Sequence, residues 1–194
     1  MDVFQAIQRG SNYRGSFKKV PLPERDLQKI VQAGLDAPSG RNLQTTEIVI
    51  ITEPEQLAAI RAILPGRAFI ETAPAFIATI FEVRAQPVSV YSYTFEVEAN
   101  AAVTESLLLA ITALGYASVW LERVLRLEER AQRIARVIGL PASKRVRVLL
   151  PVGAPAEESA RRKKNPLVEH AWFNRYGGPS NKSPSGSRST RPGA

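Results

Sequence analysis

The chain has 194 residues, of which 44% are hydrophobic and 23% charged, as expected for one globular domain with a sizeable core. It has no cysteine, which excludes disulfides, thiolate metal sites, cysteine-ligated iron–sulfur clusters and a cysteine nucleophile. The formal net charge of +8 suits an anionic ligand as well as it suits nucleic acid.

Hydrophobic periodicity and capping signals predict helices that alternate with a few separate strands. The predicted helices span residues 3–8, 22–38, 52–64, 96–114 and 126–141. The predicted strands span residues 48–51, 75–81, 119–121 and 145–150. No internal repeat is present, and the class is α+β with three layers.

Two of these helices carry specific expectations. Thr52 and Glu55 are spaced as a capping box at the start of helix 52–64. Helix 96–114 is apolar round most of its circumference after Glu105, which predicts burial on nearly all sides. Because polar residues interrupt this apolar run, we expect a buried helix and no membrane span.

The two ends of the chain differ in character. The N-terminus shows no apolar stretch behind a basic start, so we expect no secretory signal and a cytoplasmic protein, with which the lack of cysteine is compatible. Residues 178–194 are rich in Gly, Ser and Pro and carry Lys182, Arg188 and Arg191 without an acid. They predict a disordered basic tail after a single domain of residues 1–177.

Several catalytic motifs are missing from the sequence. It contains no G-x-S-x-G elbow, no HExxH, no EF-hand loop, and neither a Rossmann nor a Walker glycine pattern. The single histidine, His170, lies near the chain end, and we interpret it as a surface or packing residue. No metal site is predicted, and an enzyme with this inventory would take its reactivity from a cofactor.

Two segments combine basic residues with features suited to anions. "QRGSNYRG" offers Arg9, Ser11 and Arg14 beside glycines that let backbone amides approach a ligand. "ARRKKNP" places four basic residues before a proline. The alternative for each segment is solvated basic surface.

These segments and three others resemble, in order, the motifs of the nitroreductase family of flavin enzymes. "RGSNYRGSF" and "APSGRNLQ" are similar to its N-terminal signature. "EANAAVTESLLLAITALGYASVWL", "VLLPVGAPAE" and "RRKKNPLVEHAWFNRYG" look like its central helix, its proline-glycine turn and its closing segment. The resemblance covers residues 3–177. It implies a three-layer α-β-α fold with a mostly antiparallel central sheet, and a homodimer that packs through the long central helix.

The resemblance also implies a flavin mononucleotide (FMN) site at the dimer interface. Pro38 and Ser39 would contact the edge of the isoalloxazine ring, while Asn42 and Gln44 would supply amides to the ring or hold the loop in shape. The phosphate would lie on Arg9, Gly10, Ser11, Arg162 and Lys164. Arg14 would lie near the pyrimidine side of the flavin, where a cation favours the reduced form. The backbone of Pro151, Val152 and Gly153 would approach the ring face.

The implied activity is an FMN-dependent oxidoreductase. It would take a hydride from NADH or NADPH and reduce a small organic acceptor, nitroaromatic or quinone-like, by a ping-pong reaction that needs no catalytic side chain. The sequence departs from the family at Thr45 and Thr46, which stand where Pro-Trp is usual and alter the pocket.

The alternative is a non-catalytic protein that binds flavin or, through its basic charge, nucleic acid. Nucleic acid is disfavoured because the tail has no aromatic residue for base stacking and no nucleic-acid-binding signature occurs. A membrane partner is not expected.

Overall fold

The computed structural model describes residues 1–82, 89–90, 93–158 and 163–179. It divides into two compact units, Met1–Ala160 and Arg161–Ala194. Of the sequence predictions, Arg162 and most of the tail (residues 180–194) lie outside the described residues.

The first unit contains six helices and six strands among its described residues. The helices are α1 (Val3–Arg9), α2 (Glu24–Leu35), α3 (Pro54–Ile63), α4 (Ala68–Glu71), α5 (Phe95–Ala113) and α6 (Arg130–Val137). The strands are β1 (Glu47–Ile51), β2 (Ala75–Glu82), β3 (Ser89–Val90), β4 (Tyr93–Thr94), β5 (Ala117–Ser118) and β6 (Lys144–Gly153). The second unit contributes a short helix, α7 (Leu167–His170).

Four strands form one antiparallel sheet in the order β1-β2-β6-β5, and β3 pairs with β4 as a separate hairpin. Glu47 of β1 pairs with Ile80, which in turn pairs with Val146 near the start of β6. At the other end, Ala75 pairs with Val152. The strands therefore have two ends that we name separately. The β6-start edge is the end of the sheet at which β6 and β1 both begin. The β6-end edge is the opposite end, at which both strands finish.

Helices cover both faces of the sheet. On one face, Ile30 of α2 and Leu107 of α5 pack against sheet residues that include Val148. On the other face, Ile60 of α3 and Ile134 of α6 join a separate buried cluster. This α-β-α arrangement confirms the predicted fold class. No helix in the described part of the chain is both long and apolar enough to cross a bilayer.

A β-bulge interrupts the central ladder between Thr79 and Ile80. Because of it, Val146 and Val148 face opposite layers and belong to different buried clusters, although residues two apart on a regular strand share a face. The Thr79 hydroxyl accepts a bond from the backbone N–H of Val148 at 3.2 Å and donates to Asn100 Oδ1 of α5 at 3.0 Å. The bulge thus ties the sheet to the long helix.

Three predicted details are wrong. Pro54 occupies the first helical turn of α3, so Glu53 becomes the N-cap without a side-chain bond and the Thr52–Glu55 capping box does not form. The predicted helix 126–141 is shortened to α6, because Glu128 and Glu129 adopt left-handed backbone angles before it.

The third error concerns the strand predicted at 119–121. The ladder forms two residues earlier as β5, and of that stretch only Leu121 makes an isolated bridge, to Leu149. The backbone N–H of Trp120 instead donates to Asn12 Oδ1 at 3.0 Å, so a side chain from the N-terminal segment takes a ladder position.

We predict that Thr79→Val destabilises the fold. Valine has nearly the same shape, but it leaves the buried Val148 N–H and Asn100 Oδ1 with fewer partners, and each such group costs about 1–3 kcal/mol. Urea unfolding followed by circular dichroism measures the loss. Thr79→Ser, which keeps the hydroxyl, should lose less stability than valine; a valine variant as stable as wild type would contradict this role.

Candidate functional site

The N-terminal segment lies along the β6-end edge. The backbone N–H of Tyr13 donates to the carbonyl of Ser118 at 2.8 Å, and that of Lys18 donates to the carbonyl of Ala154 at 2.8 Å. These bonds hold the segment that contains Arg9 and Arg14 close to the end of β6.

A cavity of about 620 Å³ opens at this edge. Its polar lining includes Arg9, Ser11, Lys18, Tyr116, Glu157 and Glu158. Arg9 is exposed and makes no ion pair within the described chain. The cavity can therefore offer two cations and a hydroxyl to an anion, which are ligands typical of a phosphate site.

The sequence reading missed Lys18, Tyr116 and the two glutamates. Lys18 lies only four residues after Arg14 in the same basic segment, so proximity could have indicated it. Tyr116 reaches the cavity from beyond the C-terminal end of α5, and no sequence pattern connects it with Arg9. Arg14 is exposed but is not part of this cavity lining.

Pro151, Val152 and Gly153 lie inside the sheet, where Val152 pairs with both Ala75 and Ser118. All three are buried, so only their backbone could face a ligand. Packing within the chain also explains why residue 153 is a glycine, since a Cβ there would lie 2.8 Å from Phe17 and Pro74. The part of this segment that lines the cavity is residues 155–158.

Residues 38–44 form a strained loop before β1. Arg41, Asn42 and Gln44 all have positive φ, at 54°, 54° and 48°, a conformation that costs non-glycine residues on the order of 1–3 kcal/mol each and is often retained at binding sites. The backbone N–H of Gln44 donates to Ser39 Oγ at 3.0 Å. Ser39 therefore holds the loop in shape, while its own O–H remains able to donate.

Several polar groups of this loop point to a missing partner. The side chains of Asn42 and Gln44 are exposed and make no hydrogen bond within the described chain. The Thr45 and Thr46 hydroxyls are buried and also lack one there. A cavity of about 170 Å³, lined by Ser39, Gln44, Thr45, Thr46, Ala99 and Val103 among others, adjoins them. Unsatisfied buried hydroxyls are costly, and a ligand with amide-like edges would satisfy groups of this kind.

The two groups of predicted site residues lie at opposite edges of the sheet. The 38–44 loop precedes Glu47, which is level with Val146, whereas the 620 Å³ cavity lies beyond Gly153. Seven residues of strand separate these levels, roughly 23 Å. Helix α5 gives a similar separation. Gly40 of the loop lies against Phe95 at the start of the helix, and Thr112 near its end lines the 620 Å³ cavity. These two helix positions are about 26 Å apart along the axis.

The remaining predicted site residues are Lys164 and Arg162. Lys164 is exposed in the second unit, and Arg162 is outside the described residues. In that second unit, the rings of Trp172 and Tyr176 pack at a tilt of 55°, with their centroids 4.4 Å apart.

One titratable group at the 620 Å³ cavity has a shifted pKa. The Tyr116 hydroxyl donates to Asp26 Oδ2 at 2.8 Å. Burial raises the pKa of Tyr116, and its hydrogen bond to Asp26 and the carboxylate charge raise it further. Tyr116 is therefore neutral at physiological pH and fastens the end of α5 to α2.

Comparison with known proteins supports the assignment of the fold. The sequence model that describes the nitroreductase family matches residues 6–82 of this chain. An NADH dehydrogenase of Thermus thermophilus is 29% identical over 187 residues, which is 84% of this chain and 90% of that protein. A protein of Archaeoglobus fulgidus, provisionally named NADH dehydrogenase/NAD(P)H nitroreductase, is 29% identical over 137 residues, 71% of this chain and 76% of its own length.

Solved structures share the fold at lower identity. An FMN-dependent nitroreductase from Clostridium difficile superposes with a TM-score of 0.73 at 21% identity, covering 89% of this chain and 99% of its own. The NfrA1 nitroreductase from B. subtilis gives 0.76 at 14% identity, covering 90% and 75%. The chain is therefore similar to nitroreductase-family proteins in sequence and shares their fold, as its sequence motifs predicted.

We predict that Tyr116→Phe lowers stability at neutral pH by about 0.5–1.5 kcal/mol, the usual net value of one hydrogen bond. The folded state keeps the phenolic proton above the ordinary pKa of 10.0, where the unfolded chain loses it. The stability of the wild type therefore falls as pH rises beyond that value, and its advantage over the variant shrinks. Urea unfolding at pH 7, 10 and 11 measures both chains; an advantage that grows with pH would contradict the assignment.

Proposed function

We propose that this chain is an FMN-dependent oxidoreductase that takes a hydride from NADH or NADPH and reduces a small organic acceptor, nitroaromatic or quinone-like. We further propose that FMN lies between two copies of the chain. The names of the relatives support the electron donor, and one structural neighbour is named as FMN-dependent. The observation that carries the proposal is the pair of complementary half-sites at opposite edges of one sheet.

The donors available at the two half-sites suit the two ends of FMN. Its phosphate carries nearly two negative charges, and Arg9, Ser11 and Lys18 offer cations and a hydroxyl to it. Its ring carries N–H and C=O groups along one edge, and the 38–44 loop offers Asn42, Gln44 and the Ser39 O–H. Glu157 and Glu158 line the phosphate-side cavity as well, so they must face away from a bound phosphate.

Two copies are needed because the half-sites of one chain are separate. Each lies against its own cavity, and about 23 Å of β-sheet stands between them. If two copies pack with α5 against α5 in opposite directions, the β6-end edge of one meets the β6-start edge of the other. A twofold axis then creates two equal sites.

The surface between the half-sites is apolar and uncovered. Within one chain α5 buries only one face, with Val103, Leu107 and Ile111 in the core, so the prediction of burial on nearly all sides is wrong for the single chain. Val97 on the outer side of α5 is exposed, and so is Leu114 directly after the end of the helix. On the neighbouring α1, Phe4 is 73% exposed. A patch of this kind is typical of an interface, and a second copy would cover it.

When bound, the flavin supplies the redox chemistry by accepting and passing on a hydride. The chain's own residues bind it, orient it and exclude water. Arg9 and Lys18 hold the anionic end, and the strained loop keeps short polar groups at a fixed distance from the ring. No side chain needs to donate a proton, since solvent can protonate the reduced acceptor.

We expect purified protein to be yellow, to bind about one FMN per chain and to behave as a dimer. It should oxidise NADH or NADPH in the presence of a quinone or a nitroaromatic compound. Absorption spectra, light scattering and steady-state kinetics measure these properties. Protein that cannot be reconstituted with FMN contradicts the proposal, and flavoprotein that never oxidises either nicotinamide indicates flavin storage.

Single variants make this test specific. Arg9→Ala removes a charge-assisted phosphate contact worth about 1.5–3 kcal/mol, so FMN should bind roughly 10- to 100-fold more weakly. Arg25→Ala, which removes an exposed arginine on α2, serves as the control and should bind FMN normally. His170→Ala should leave turnover unchanged.

A further inference from the structure

The net charge of the chain is concentrated in one stretch outside the proposed flavin site. Residues 122–147 contain eight basic and three acidic side chains. The rest of residues 1–177 contain equal numbers of both signs, and the tail adds three basic residues. Seven of the eight basic residues in the stretch are arginine, the residue best suited to bind phosphate oxygens through paired N–H groups.

The fold gathers part of this charge around a cavity of about 270 Å³. Three arginines (Arg126, Arg145 and Arg147) and two glutamates (Glu122 and Glu129) line it, and Phe81, Leu125 and Val146 form an apolar wall. Glu122 pairs with both Arg126 and Arg147, the latter at 3.1 Å. The Glu122 carboxylate thus serves two guanidinium groups, while the bonds of Arg145 within the described part of the chain go to the backbone carbonyls of Ala142 and Lys144.

The position of Arg147 depends on the β-bulge. Thr79 pairs with Val148 and Ile80 with Val146, so Arg147 is the extra residue of β6. A bulge of this kind redirects a side chain, and here the redirected side chain lies among the other two arginines. The positions of Arg145 and Arg147 are therefore set by the sheet itself.

The start of α6 adds to the same cavity. Ala131 and Gln132, in its first turn, line the cavity, and the helix has no side-chain N-cap bond. The first backbone N–H groups of a helix lack partners within it and favour a negative charge. They reinforce the positive field that the arginines create.

This cavity is separate from the proposed flavin site. Leu125 and Val146 belong to the buried cluster that contains Ile60 of α3 and Ile134 of α6, on the sheet face opposite α5. The outer surface here stays open in a dimer that packs through α5. Arg123, Arg133 and Arg136 are exposed nearby in sequence and make no ion pair in the described chain.

We propose that the Arg126–Arg145–Arg147 cavity is a second binding site, specific for phosphate groups. Three guanidinium groups outnumber the two carboxylates, Glu122 and Glu129, that line the same cavity, and a phosphate presents several oxygens and up to two charges to them. The phosphate can belong to a small phosphorylated compound or to the backbone of a nucleic acid. The site does not require that FMN bind on the other face.

The test uses full-length protein and two probes: inorganic pyrophosphate, measured by calorimetry, and a labelled duplex DNA of about 20 base pairs, measured by anisotropy across a salt series. The variant Arg126→Gln/Arg147→Gln removes two cavity charges. Arg25→Gln/Lys29→Gln removes two charges from α2, on the opposite face, and is the matched control. Circular dichroism confirms that both variants are folded.

We expect the cavity variant to bind at least one probe about tenfold or more weakly than wild type, since each charge-assisted contact contributes about that much. The control should bind within about twofold of wild type. Weakening of pyrophosphate alone identifies a small phosphorylated ligand, and weakening of the duplex alone identifies a nucleic-acid backbone. The proposal is overturned if wild type binds neither probe, or if both double variants weaken equally.

A second measurement decides the matter if the cavity variant does not fold. Phenylglyoxal modifies accessible arginines of the wild type, and mass spectrometry locates them. Pyrophosphate or duplex should protect the peptides that contain Arg126 and Arg147 and leave Arg25 reactive. Equal modification with and without both probes would overturn the proposal.

Discussion

The antiparallel ladder between β2 and β6 positions every other feature of this protein. It runs from Ala75 paired with Val152 to Glu82 paired with Lys144, and it holds the two half-sites apart at its two ends. Each end recruits a different part of the chain: the N-terminal segment binds along the β6-end edge, and the 38–44 loop enters at the β6-start edge. The separation of the two proposed half-sites is therefore a consequence of the length of these strands.

The same ladder separates the two surfaces by chemistry. On the α5 side, apolar residues such as Phe4 and Val97 remain uncovered, which suits a second copy. On the α6 side, the bulge at Arg147 turns a charged residue toward Arg126 and Arg145. The Thr79 hydroxyl, which bonds to both Val148 and Asn100, connects these surfaces. A change in this one residue should disturb the packing of α5 as well as the bulge.

Much of the fold could be predicted from the sequence, because periodic apolar residues and prolines mark most elements. The sheet order could not, since β5 has two residues and its position depends on Asn12, which is distant in sequence. The bulge could not be predicted, because Val146 and Val148 are spaced like two residues on the same face of a regular strand. For α5, an apolar circumference does not reveal whether the same chain or another copy covers it. Motifs predicted roles for Arg9 and Asn42, whereas the place of Tyr116 beside Arg9 in the cavity emerged only from the fold.

The central claim is that each flavin site is shared between two chains, and a mixed dimer tests it. One parent carries Arg9→Ala and Ser11→Ala; the other carries Asn42→Ala and Gln44→Ala. Each parent alone should lose FMN. In a doubly tagged mixed dimer, a shared site predicts that both defects fall in one site and the other is intact, so FMN returns to about half of the wild-type content. FMN content as low as in both parents would contradict the account, because each site would then lie within one chain.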